Sequence, residues 1–169
     1  LLGLVVVCAS ANAQTEAELA RARAQFDEAL SLEVAEDFKG ALAKLNEVAK
    51  VRQTPQVRFH IARCKERLQR YTEALGDYQL AEHAEPRLGP EDLAEVVRAR
   101  ESLQQRIPRL SLVLPKPSEG VEVELDGVLL GAARLREPVL VDPGTRHIVV
   151  TNKHGRLEES VEVSEGETR

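Results

Sequence analysis

Residues 38–48 read FKGALAKLNEV and residues 71–81 read YTEALGDYQLA. Phe38 aligns with Tyr71, Ala41 with Ala74 and Val48 with Ala81, and each pair stands 33 positions apart. A period near ~34 residues in a helical region marks stacked helix-turn-helix units, because one such unit cannot bury its apolar face alone. The repeat therefore sets the first half of the chain as an α-solenoid of helical hairpins, and it points to binding rather than catalysis.

Working outward, each helix carries its own start signal. Thr15 with Glu18 forms a capping box, which predicts a helix bearing Leu19, Phe26, Ala29 and Leu30 and ending near Ala35. Asp37 caps a second helix with Ala41, Leu42, Leu45, Val48 and Ala49 on one face. Thr54-Pro55 is an N-cap with proline at the first helical position, opening a third helix to about Leu68. A fourth spans Tyr71 to His83 with Ala74, Leu75, Tyr78 and Ala81 facing in, and Glu85-Pro86 stops it. Pro90 starts a fifth, which uses Leu93, Val96, Val97, Leu103 and Ile107.

Composition changes abruptly after Arg106. Residues 14–106 are rich in Ala, Leu, Glu and Arg, whereas Val, Gly and Pro dominate residues 107–169, so the expected fold is α+β in separate domains with a boundary at that step. Leu110, Leu112 and Leu114 alternate, as do Val121, Val123 and Leu125, then Val139 and Val141, and finally Val161 and Val163. Asp126-Gly127 is a two-residue hairpin signal, Asp142-Pro143-Gly144-Thr145 suits a type II turn, and His154-Gly155 and Glu165-Gly166 close later segments. Six short strands at this spacing predict a small all-β sandwich.

The first residues decide where the protein works. Leu1, Leu2, Leu4 and Val5 to Val7 precede small residues and Ala11-Asn12-Ala13, which reads as a secretory h-region and cleavage site over residues 1–13. The run lacks a basic n-region and the chain has no Met, so residues upstream of Leu1 are expected. It is too short to span a bilayer, which takes ~20 apolar residues. A buried N-terminal strand is the alternative. Val7 before Cys8 does not suit a lipoprotein signal, and with Cys8 removed Cys64 is left with no intramolecular disulfide partner. Residues 14–106 carry 15 basic and 17 acidic side chains and residues 107–169 carry 8 and 11, or −2 and −3. A mildly acidic chain without a basic stripe argues against nucleic acid or anionic lipid as partner.

Tyr71, Ala74, Tyr78, Ala81 and Pro86 resemble the marks of the second helix of a tetratricopeptide repeat. Phe38, Ala41, Leu45 and Val48 fit the same pattern one unit earlier, although Pro55 comes two residues late and Lys65 stands where an aromatic is usual. The resemblance implies two repeats and a capping fifth helix. It also implies a groove lined by Arg23, Phe26, Leu30, Glu33 and Val34 from the first unit and Gln56, Phe59, Arg63, Glu66 and Arg67 from the second. Phe26 and Leu30 occupy positions where some members clamp a terminal carboxylate with Lys and Asn, so a segment with apolar anchors and acidic character suits Arg23, Phe26, Leu30, Phe59, Arg63 and Arg67 better. Against this stands a plainer reading, in which Phe26, Leu30 and Phe59 are interhelical core and Arg63, Arg67 and Arg70 form a solvated face.

Residues 107–169 resemble the PEGA domain, a β module of exported bacterial proteins often found with tetratricopeptide repeats. The marks are Pro117 with Gly120, Val121 to Gly127, Gly131, Pro138, Pro143-Gly144, His147 to Val150, and Gly155. Arg156 replaces a usual aromatic, and a last strand expected after Gly166 is cut off at Arg169, leaving the sandwich incomplete or its edge exposed. Neither resemblance brings catalytic residues, a metal or a cofactor. His147 and His154 lack ligand spacing, Glu158, Glu159 and Glu162 read as a solvated strand face, Gly127 and Gly131 as turn glycines, and Cys64 as a packed thiol beside Ile61 and Leu68. The expected function is a non-catalytic scaffold of the bacterial envelope, exported to the periplasm or cell surface, whose groove recruits a protein or peptide partner. The alternative is a β module that binds cell-wall glycan, with the helices as a stalk; against it, the chain's five aromatics all precede Ile107.

Overall fold

A computed structural model of the chain describes residues 8–85, 87–114 and 120–169, with side chains from residue 15 onward. Pro86, Pro117 and residues 1–7 of the expected leader lie outside them. The contacts divide the chain into two compact units, residues 1–100 and 101–169. The division falls inside a helix, six residues before the compositional step.

The first unit holds α1 (Cys8–Val34), α2 (Phe38–Val51), α3 (Pro55–Arg67), α4 (Tyr71–Glu82) and the body of α5 (Pro90–Arg106). Asp37 caps α2 by accepting from Gly40 N at 2.9 Å, and Thr54 caps α3 by accepting from Val57 N at 3.2 Å. The expected start of α1 is corrected. Thr15 lies inside the helix, because Ala9, Ala11 and Ala13 are strong helix formers and nothing before Thr15 breaks the run.

The 33-residue repeat governs the turns as well as the helices. After α1, Asp37 N donates to Leu32 O and Glu36 N to Glu33 O; after α3, Arg70 N donates to Lys65 O and Gln69 N to Glu66 O. Glu36 and Gln69 take the left-handed conformation, with φ of 60° and 61°. Both hairpins thus close with the same Schellman turn at equivalent positions. Ala29, Ala41, Leu42, Leu45, Val57, Ile61 and Cys64 form one apolar cluster between α1, α2 and α3. On α4, Tyr71, Ala74, Leu75, Tyr78 and Ala81 are buried at helical spacing.

The second unit contains a two-stranded sheet of β1 (Arg109–Leu110) and β4 (Val139–Leu140). A four-stranded antiparallel sheet runs in the order β3 (Val128–Leu130), β2 (Glu122–Leu125), β5 (Gly144–Asn152), β6 (Gly155–Val163). Asp126 and Gly127, at φ of 50° and 78°, join β2 to β3 with Leu125 opposite Val128, the type I′ geometry that Asp-Gly favours. Leu110, Val123, Leu125, Val139, Val141, Ile148 and Val163 share one core, so both sheets contribute to it.

Two strand expectations change. The alternation of Leu112 and Leu114 does orient them toward the core, but no strand extends past Leu110. Pro138 and Pro143 bracket β4, and proline cannot continue a ladder as donor, so β1 has only a two-residue partner. The other edge of β1 is occupied by the chain's last described residues. Arg109 N donates to Glu167 O at 2.8 Å, Arg169 N to Arg109 O at 2.9 Å and Ser111 N to Arg169 O at 2.6 Å. The segment after Gly166 therefore does pair, in parallel with β1.

Candidate functional site

The expected groove positions lie on the α1/α3 face of the helical unit, where spacings of three and four residues bring successive side chains into line. Phe26 and Phe59 both meet the imidazole of His60 edge-on, at centroid distances of 5.3 Å and 5.5 Å. Phe59 also contacts the ring of Tyr78 at 5.9 Å. Phe26 is half-buried, Phe59 is buried, and Leu30 is half-buried one turn along from Phe26.

A buried carboxylate anchors this face. The Glu33 side chain is 4% exposed, and both its oxygens stand 3.1 Å from His60 Nδ1. Facing a carboxylate, Nδ1 is the protonated, donating nitrogen. Cys64 Sγ donates to Oε1 at 3.5 Å and Arg63 Nη2 lies 3.5 Å from Oε2. Burial, then the charge and hydrogen bond of Glu33, push the Cys64 thiol up to about 12. The thiol therefore stays protonated at neutral pH. It bonds the carboxylate instead of the imidazole, so the pairing of nucleophile with base that thiol catalysis requires is not formed. Burial together with the neighbouring Glu66 charge also raises the Tyr78 phenol, whose Oη donates to Glu66 at 2.8 Å.

The six arginine and apolar positions singled out from sequence separate into three groups. Arg63 spreads over the Phe59 ring at 5.6 Å while reaching Glu33. Arg67 turns away to the Phe38 ring at 4.8 Å and to Glu36 at 3.7 Å, so it is tied to the preceding hairpin rather than to the Phe26–Phe59 surface. Arg23 and Phe26 instead line an open cleft of about 180 Å3 between α1, the end of α2 and the start of α3. Leu19, Ala22, Val48 and Val57 supply its apolar lining, and Arg52, Asp27, Thr54 and Gln56 its polar rim. Arg58, Arg63, Arg67 and Arg70 each have a carboxylate partner, whereas Arg23 and Arg52 have none among the described residues.

Sequence reasoning passed over His60, which organises the face. The repeat offset does not reach it, since Asp27 stands 33 residues before it. Extended to the first helices, 33 residues relate Phe26 to Phe59 and Glu33 to Glu66, so two rings and two acids recur at inward positions. His147 bonds Ser160 Oγ through Nδ1, and among the described residues no group of three ligating side chains could hold a metal ion. Glu158, Glu159 and Glu162 are all exposed, with Glu158 and Glu162 on one face of β6 and Glu159 on the other, so they do not form a single face. No helix among the described residues is long and apolar enough to cross a membrane. Comparison with family models, curated proteins and solved structures gives no match for this chain.

Proposed function

We propose that the helical unit is a tetratricopeptide-like recognition module that holds an acidic segment with one apolar anchor. In this reading the β unit is a PEGA-like sandwich that spaces or anchors the module, and the chain is a non-catalytic scaffold exported to the envelope. The observation that carries it is the cleft beside the repeated Phe26–Phe59 face, with Arg23 and Arg52 on its rim and, among the described residues, no carboxylate paired with either. Small-molecule sites usually enclose ~300–1,000 Å3, while a cavity of ~150 Å3 accepts a benzene ring, so this cleft suits one side chain of a partner. Two cations against the single acid Asp27 give the rim a positive balance on a chain whose net charge is −5. The structure also narrows the cations open to a ligand, since Arg63 and Arg67 already serve Glu33 and Glu36.

The test is fluorescence anisotropy of the full chain with a labelled nonapeptide carrying one central leucine between Asp-Glu pairs. Arg23→Glu combined with Arg52→Glu is expected to weaken binding at least ~10-fold, about 1.4 kcal/mol, while helicity is retained because both side chains are exposed. Equal affinity for a version of the peptide with lysine in place of the acids, or an unchanged affinity in the double variant, overturns the reading.

A further inference from the structure

We propose that β6 is a homotypic docking edge, at which a second copy of this chain adds its own β6 in antiparallel register centred on Glu159. The backbone directions follow from hydrogen bonds on both sides of the sheet. Asp126 N donates to the His147 carbonyl, so odd-numbered residues of β5 bond toward β2 and even-numbered ones toward β6. Through the register Ile148↔Glu159 and Val150↔Leu157, the odd residues of β6 face β5. The N–H and C=O groups of Arg156, Glu158, Ser160 and Glu162 are thereby directed to the open edge. The Glu162 carbonyl indeed accepts from outside the sheet, from Arg169 Nη1 at 3.0 Å. β6 closes one side of its sheet along nine residues, and it is exposed from Gly155 to Ser160.

A two-fold axis through Glu159 makes those edge groups self-complementary. It sets Arg156 opposite Glu162 of the other copy, and Glu158 opposite Ser160, each pair having its backbone groups directed at the partner as a hydrogen-bonded pair needs. Opposite charges then face each other at both ends of the ladder. On the other face of the strand, Leu157 meets Val161 of the second copy. Leu157 is 65% exposed in the single chain, and this contact gives it apolar cover. Shifting the register by one residue pairs outward groups with inward ones and removes the ladder, so the backbone and the charges select the same alignment. Glu159 opposes its own copy at the axis, in the closely spaced non-hydrogen-bonded position, and this repulsion limits the strength of the pairing. The Arg169 guanidinium gives up the Glu162 carbonyl when the second strand arrives.

One added strand lies at the small end of specific interfaces, so the dimer is weak and concentration-dependent, with dissociation in the range of ~100 µM. Sedimentation equilibrium of the full chain from about 10 to 500 µM reads it directly. Arg156→Glu places like charges at both ends and is expected to weaken association ~10-fold or more, and Glu162→Arg to do the same. The double exchange, Arg156→Glu with Glu162→Arg, restores the wild-type association, and Glu159→Gln strengthens it several-fold. All three positions are exposed, and circular dichroism confirms that the hairpin is retained. A monomer throughout the concentration range, a dimer indifferent to Arg156→Glu, or a double exchange that fails to recover association each overturns the proposal.

Discussion

Replacing Glu33 by alanine tests whether α1 and α3 are tied through a buried acid. Truncation leaves His60 Nδ1 and the fully buried Cys64 thiol without their acceptor, while Arg63, at 43% exposure, turns to water at little cost. An orphaned donor costs ~1–3 kcal/mol, with His60 near the middle of that range because its side chain is 17% exposed, and with the thiol adding little because sulfur donates weakly. Glu33 sits one residue from the end of α1, where an acid opposes the helix dipole by ~0.3–1 kcal/mol, and alanine relieves this. The lost apolar stem returns a further ~1 kcal/mol of destabilisation. The net expectation is a loss of about 2 kcal/mol, or ~10 °C in the melting of a unit of this size. Urea denaturation followed by helical ellipticity measures it, because the helical signal comes from the first unit. Glu33→Ala combined with His60→Ala should show a coupling of ~1–2 kcal/mol in a double-mutant cycle. A loss below ~0.5 kcal/mol with zero coupling would refute the tie, since a mere void cannot produce coupling to one particular ring.

Two further outcomes follow from local chemistry. The Cys64 thiol, raised from 9.0 to about 12 by burial and by Glu33, ionises in the unfolded chain before it does in the folded one. Its contribution is therefore complete below pH 9 and is lost as pH climbs to 12, by up to ~1.4 kcal/mol per pH unit, and Cys64→Ala flattens that slope in pH-dependent urea titrations. Asp37→Ala removes the acceptor of Gly40 N and should cost ~1 kcal/mol of helical-unit stability, whereas Asp37→Asn should cost little.

Helix starts were legible wherever a side chain caps them, as at Asp37 and Thr54-Pro55. Pro90 marks a start by its fixed φ and missing N–H. The start of α1 was not, because alanine-rich sequence before a capping box is itself helical. The turn geometry at Glu36 and Gln69 was equally hidden: a left-handed residue is normally announced by glycine or asparagine, and here hydrogen bonds back to Leu32 and Lys65 hold a glutamate and a glutamine in that region. In the β unit, alternation indicated which face each residue takes, but not whether a partner strand exists. Leu112 and Leu114 face the core with no ladder, and β1 pairs on its second edge with residues 167–169, a contact of high sequence separation that no local pattern encodes. The candidate face was half legible. Phe26, Phe59 and Arg63 were grouped by the resemblance to the repeat family, while the diversion of Arg67 to Phe38 depends on where the preceding hairpin ends.

The divergence between the two repeats is itself informative. Both units keep an acid one residue before the end of their first helix, Glu33 and Glu66, at a position the helix dipole disfavours. Such an acid persists only if donors hold it, and the two units supply them differently. Glu66 is met by Tyr78 from its own second helix, whereas the equivalent position in the first unit is Leu45, which has no donor to give. Glu33 must therefore draw its donors from His60, Arg63 and Cys64 on the following unit. The first acid therefore links α1 to α3 through His60, Arg63 and Cys64, whereas the second is met by a donor from α4. The same link turns His60 toward Phe26 and Phe59, so the residue that joins the two units also shapes the surface beside the cleft.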